Sequence, residues 1–162
     1  MDNNGSSAFA YKPNFGGARI TVIGLGIEGI DLVRFLTAQG ADVTVSDARP
    51  AEALSEAIDA IADTNATLSL GANRPEDTSR ADFVFVSQGV PRDLPALTAA
   101  IEAEVPVSSM AQLFLDLCPA PVAAVTGSSG KTTTTALVGA MLDSAGEDYV
   151  VGGNIGVGLL GL

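Results

Sequence analysis

The chain has 162 residues and a mass of 16.3 kDa, is 47% apolar, and has a mean hydropathy of +0.35, enough core-forming material for one domain or one domain with part of another, and too much for disorder along its length. Nineteen acids against eight bases, with no histidine, give a net charge of -11, which argues against nucleic-acid and anionic-lipid partners and removes Ser-His triads and the usual zinc sites. The single cysteine, Cys118, excludes an internal disulfide and fits a reducing cytoplasm, and no run of about 18 apolar residues suggests a membrane span.

Residues 1–18, rich in small polar residues and glycine and without an apolar signal-peptide core, read as a flexible lead-in. Arg19–Gly24 is a short apolar strand ending in a glycine turn. Glu28–Gln39 is a helix with Ile30, Val33 and Leu36 on its apolar face and Gly40 as its stop. Asp42–Ser46 is a second strand, and a helix led by Pro50 runs to Ala62. Thr67–Leu70 and Phe83–Val86 are further strands, Leu94–Ala103 is a helix capped by Asp93, and Val105–Val107 is a strand. This alternation predicts an α/β fold, a parallel sheet covered on both faces, over residues 19–108.

A short helix, Met110–Leu117, then leads to Pro119 and Pro121, after which a second strand–helix–strand pattern is expected: Val122–Val125, Lys131–Ser144 and Asp148–Val151. Of the 27 charged residues, 22 precede Ser108, and the composition shift there marks a domain boundary. Residues 109–162 are too few for a full parallel-sheet domain, so the second unit reads as incomplete.

Three glycine loops carry the chemistry. The first is G-x-G-x-x-G at Gly24–Gly29, between strand and helix, with Asp47 at the end of the next strand where a ribose-binding acid is expected. Any nucleoside diphosphate satisfies that logic, NAD included; a tight turn opening a helix satisfies the spacing equally. Glu28 sits in the helix's first turn, where an acid favours the helix and repels a bound diphosphate. The second loop is Thr126–Thr133, T-G-S-S-G-K-T-T, a shortened phosphate loop in which Val125 stands where the longer form has its first glycine. There Gly127, Ser128, Ser129, Gly130 and Thr133 would present N–H groups to ATP, Lys131 would reach the β- and γ-phosphates, and the Thr132 hydroxyl would ligate Mg²⁺. The bland alternative is a Gly-Ser turn capping an ordinary helix. The third loop, Val151–Gly156, contains Asn154, which could donate to a phosphate or bound substrate or simply belong to a turn.

V-I-G-L-G-I-E-G at Val22–Gly29, S-D-A-R-P at Ser46–Pro50, S-Q-G-V-P at Ser87–Pro91, the phosphate loop and V-G-G-N-I-G at Val151–Gly156 together resemble the Mur ligase family, and the first two point to its D-glutamate-adding branch. The resemblance implies a Rossmann-like domain binding the UDP end of UDP-N-acetylmuramoyl-L-alanine, followed by the truncated start of a P-loop ATPase domain. It implies that Gly26, Ile27 and Glu28 lie along the diphosphate, that Asp47, Ala48 and Arg49 hold the uridine with Gly89 nearby, and that Gly127–Thr133 bind ATP with Mg²⁺. The implied reaction belongs to peptidoglycan synthesis: ATP phosphorylates the substrate carboxylate, and the D-glutamate amine attacks the acyl phosphate, Lys131 stabilising the developing charge. It further implies a cytoplasmic monomer without membrane or nucleic-acid partners.

Relative to the family pattern, Glu28 replaces Ser or Thr and Gln88 replaces Pro, and the acid expected ahead of Leu113-Phe114 is neutral. The family's Mg²⁺-binding glutamate, carbamylated lysine and C-terminal domain have no counterpart in the 162 residues, which alone are expected not to ligate. The alternative is a non-catalytic module binding a UDP-sugar or NAD.

Overall fold

A computed structural model describes residues 14–153 and 159–161. Five strands form one parallel sheet in the order β3-β2-β1-β4-β5: β1 (Arg19–Ile23), β2 (Asp42–Asp47), β3 (Thr67–Leu70), β4 (Phe83–Val86) and β5 (Val107–Ser108). Ile20 pairs with Val43 on one side and with Phe83 on the other, which fixes β1 at the centre. The order reverses between β1 and β4, so the loops leaving these two strands flank the crevice where open parallel sheets bind ligands.

Alternation along the strands divides the core. Ile20, Val22, Val43, Val45 and Phe85 pack with Leu32, Val33 and Leu36 of α1 (Ile27–Ala38) and with Met110 and Leu113 of α5 (Met110–Leu117). Ile23 and Val84 face the other way, onto Leu97 and Ala100 of α4 (Pro95–Glu102). Both faces are therefore covered, as the near-continuous apolar strands require.

The α/β class and the parallel, Rossmann-like sheet agree with the sequence reading; several details differ. The helix expected from Pro50 to Ala62 is a 3-10 turn at Ala51–Leu54 running into the short α2 (Ser55–Asp59). Helix α3 (Pro75–Ser79) was not anticipated; Pro75 opens it and Glu76 and Asp77 fill its first turn. The hydroxyl of its Thr78, fully buried, donates to the Ala96 carbonyl at 2.6 Å and ties α3 to α4. The cap of α4 is Leu94, with no side-chain bond, rather than Asp93, and the final strand is shifted to Val107–Ser108. Residues 14–18 of the expected lead-in belong to the fold: Phe15 is buried and meets Phe83 and Phe85 edge-on at 5.8 and 6.1 Å between ring centroids.

The second strand–helix–strand unit is the main correction. Its helix forms as α6 (Lys131–Ala145), but neither Val122–Val125 nor Asp148–Val151 is a strand, and among the described residues none follows β5. A parallel strand exists only against a neighbour that takes up its N–H and C=O groups, and among the described residues neither segment has one. Val122, Leu137, Met141, Val150 and Val151 are accordingly exposed, and the start of a P-loop domain is not evident beyond the loop and its helix. A closing 3-10 turn at Leu159–Gly161 packs on α1 and α5, where Leu160 donates its N–H to Asp31 Oδ2 at 2.9 Å. Among the described residues no helix is long and apolar enough to cross a membrane.

Candidate functional site

The turn after β1 is built by two close contacts. A Cβ on Gly29 would stand 2.0 Å from the Gly24 carbonyl oxygen, so only glycine lets α1 begin this near the strand. The same oxygen accepts a 2.8 Å hydrogen bond from the hydroxyl of buried Ser87, which joins the β1 and β4 ends. Helix α1 opens on Gly26 with no side-chain cap, so its first-turn N–H groups and the dipole behind them remain available to an anion.

Asp47, at the end of β2, is buried and reaches across to this turn. Its Oδ2 accepts the Leu25 N–H at 2.8 Å and Arg49 Nη2 at 2.7 Å; its Oδ1 accepts the Arg49 N–H at 2.9 Å and Nε at 3.0 Å. Burial pushes the Asp47 carboxyl up, but the Arg49 side chain and the Leu25 and Arg49 N–H groups outweigh it and hold the acid below its ordinary range. Arg49 is raised in turn by its bond to Asp47. With four donors on its two oxygens, Asp47 shapes the loop and aims Arg49. Arg49 remains half exposed, and its Nη2 also donates to the Leu25 carbonyl at 3.3 Å.

Beside this frame lies an open cleft of about 630 Å³ lined by Leu25, Gly26, Ile27 and Ile30 on one wall, by Arg49, and by Ala53–Ala57 on the other. The structure thus brings Gly26, Ile27 and Arg49 to one cavity. Ala48 is exposed and lies outside its lining, as does Gly89, which occupies the loop after β4 with φ +88°. Glu28 is buried and also outside the lining; its Oε2 accepts the Gln88 N–H at 2.9 Å. Leu25, whose backbone serves both Asp47 and Arg49, and Ser87 were missed as contributors: their roles are made by main-chain geometry and by a contact between residues 63 apart.

The phosphate-loop residues form a separate group, none of them in that cleft. Gly127–Gly130 are an exposed loop leading into α6, and Gly130 caps the helix in the left-handed conformation, φ +79°, without a side-chain bond. Lys131 Nζ folds back to donate to the Gly127 carbonyl in the loop that precedes the helix. Thr132 and Thr133 are exposed in the first turn. A curled glycine loop, a free helix N-terminus and an inturned lysine are a donor set suited to the phosphates of ATP. Among the described residues no group of three or more acids, cysteines or histidines could hold a metal. Asn154 lies outside the described residues.

Residues 18–109 match the family described as Mur ligase MurD-like, N-terminal domain. Curated relatives named UDP-N-acetylmuramoylalanine--D-glutamate ligase include one from Symbiobacterium thermophilum, 42% identical over 142 residues, covering 88% of this chain and 31% of the relative. Another, from Desulfosudis oleivorans, is 41% identical over 143 residues with the same coverage. Among solved structures, a pseudomurein peptide ligase type C from Methanothermus fervidus is similar, with 26% identity, a TM-score of 0.52, and coverage of 80% of this chain and 27% of that one. The chain therefore spans about a third of the length of the curated relatives it matches (31%).

Proposed function

The chain belongs to the Mur ligase family, MurD-like, through its N-terminal domain, and on that premise we propose that it is the nucleotide-sugar-binding part of an ATP-dependent ligase that joins D-glutamate to UDP-N-acetylmuramoyl-L-alanine in peptidoglycan synthesis. The observation that carries the reading is the cleft itself: an uncapped helix opening at Gly26–Ile27 and the Arg49 guanidinium bound one cavity at the C-terminal ends of β1 and β2. That is a place for a diphosphate and an attached nucleoside. Gly26 and Ile27 would lie along the diphosphate, and Arg49, with Ala48 and Gly89 at the margins, would meet the uridine end. Asp47 would act by holding Arg49, and Asn154 would meet substrate from the third loop.

The ATP site would be Gly127–Thr133. When bound, ATP would supply the phosphoryl group that activates the substrate carboxylate, leaving as ADP, and Mg²⁺ would offset charge on the phosphates. Lys131 would hold the transferred phosphate and offset its charge, and the N–H groups of Gly127–Gly130 would orient it. The reading further implies a cytoplasmic monomer.

Calorimetry on the 162-residue chain tests the substrate site. Saturable binding of UDP-N-acetylmuramoyl-L-alanine is expected. The second reading, a non-catalytic NAD-binding module, has the glycine loop in its favour, and occupied Asp47 against it, because a ribose diol would have to displace Arg49. Tight NAD binding without response to the UDP-sugar would favour it and overturn the first.

A further inference from the structure

Two residues beside the first glycine turn touch each other, Glu28 in the first turn of α1 and Gln88 in the loop after β4. The Gln88 N–H donates to Glu28 Oε2 at 2.9 Å across 60 residues of chain. Proline has no N–H to give, so the contact needs a residue other than proline at position 88 and an acceptor long enough to reach it at position 28. Successive helical residues point about 100° apart, and the structure follows that rule. Gly26 and Ile27 line the cleft, whereas Glu28 is turned toward the loop after β4 and buried there. Among the described residues no cation pairs with it.

We propose that Glu28 and Gln88 form a charge latch that keeps an acid in the first turn of α1 away from the diphosphate cradle, making this pair a positioning and affinity-setting element of the nucleotide site. The proposal rests on the UDP reading above. Its physical basis is competition for one partial positive charge. A carboxylate in the first turn is drawn to the same N–H groups and dipole that an incoming diphosphate needs. Bonded to Gln88, the acid is directed elsewhere. Released, it stands as an internal anion at the mouth of the site. The latch also pins the Ser87–Pro91 loop to α1, alongside the Ser87–Gly24 bond.

The direction of change distinguishes this from a merely structural contact. Glu28→Gln keeps the reach and an acceptor oxygen but removes the charge, and should tighten UDP binding on the order of threefold. Gln88→Pro keeps the charge and removes the donor, and should weaken binding by a comparable factor. Glu28→Asp, about 1.5 Å shorter, cannot reach Gln88 and should weaken binding likewise, which provides a second test if the proline variant does not fold. The double variant Glu28→Gln, Gln88→Pro should return to the affinity of Glu28→Gln alone. The measurement is UDP titration of the 162-residue chain by calorimetry, with amide hydrogen exchange at Gln88 beside it. Weakening in every single variant, no change in Glu28→Gln, or an unprotected Gln88 amide in the unmodified chain overturns the latch while leaving the UDP site standing. Failure of the unmodified chain to bind UDP overturns both.

Discussion

Gly29 and Gly24 meet so closely that a Cβ on the first would lie 2.0 Å from the carbonyl oxygen of the second. The obstacle is backbone at the end of the central strand, which cannot move aside as a side-chain tip can. Gly29→Ala should therefore displace α1 from β1, with a loss of at least about 4 kcal/mol. A melting curve lower by many degrees, or an insoluble product, is the expected outcome; an unchanged melting temperature would contradict the packing.

Phe15 precedes every regular element yet is buried against Phe83 and Phe85. Phe15→Ala should cost about 3–5 kcal/mol, as expected for a buried ring. Urea titration checks this, and a change within about 0.5 kcal/mol would return the segment to the status of a surface lead-in.

Asp47 links stability to pH. Its carboxyl is held below its ordinary value of 3.8, so the unfolded chain binds the proton more readily than the folded one. The resulting stability is fully present above the ordinary value and is lost as pH falls through the folded value. Asp47→Asn should cost about 1–3 kcal/mol near neutrality, and the gap between parent and variant should narrow as the pH drops below about 4. Urea midpoints measured across that range decide it, and a gap constant with pH would remove the carboxylate from the account. The same variant should weaken UDP binding, because Arg49 loses its anchor.

Lys131→Ala should abolish ATP binding while leaving UDP binding unchanged, because the phosphate loop shares no lining with the first cleft. Parallel titrations with the two nucleotides test it. Loss of both would mean that one site serves both ligands.

The first sheet was legible because its signals are local. Alternation and apolar runs marked β1 to β4, Gly40 ended α1, and α5 was read with both its ends as observed. Helix α3 carried a readable signal, proline followed by two acids, but its five residues are too short to show periodicity. The strands expected at Val122–Val125 and Asp148–Val151 failed for a non-local reason: β-propensity describes fitness for a sheet, and pairing requires a partner that the sequence pattern does not supply. In the candidate site, the glycine turns were readable from spacing. The full set of bonds on Asp47 was not readable in the same way, since one of its donors, the Leu25 N–H, lies 22 residues away in sequence. The Glu28–Gln88 contact was invisible for the same reason: each residue was noticed alone, and only the fold makes them neighbours.

Arg49 enters the cleft with its torsions already set. A loose arginine carries about 2 kcal/mol of rotamer entropy, which a surface side chain surrenders only when its ligand arrives. Here the fork is clamped at Nε by Asp47 and at Nη2 by Asp47 and Leu25 as the chain folds. On the proposed reading this wall of the cleft is preorganised, and binding would draw little on ordering at the moment of encounter. A lysine, carrying the same charge on a freely rotating stem, would forfeit that advantage.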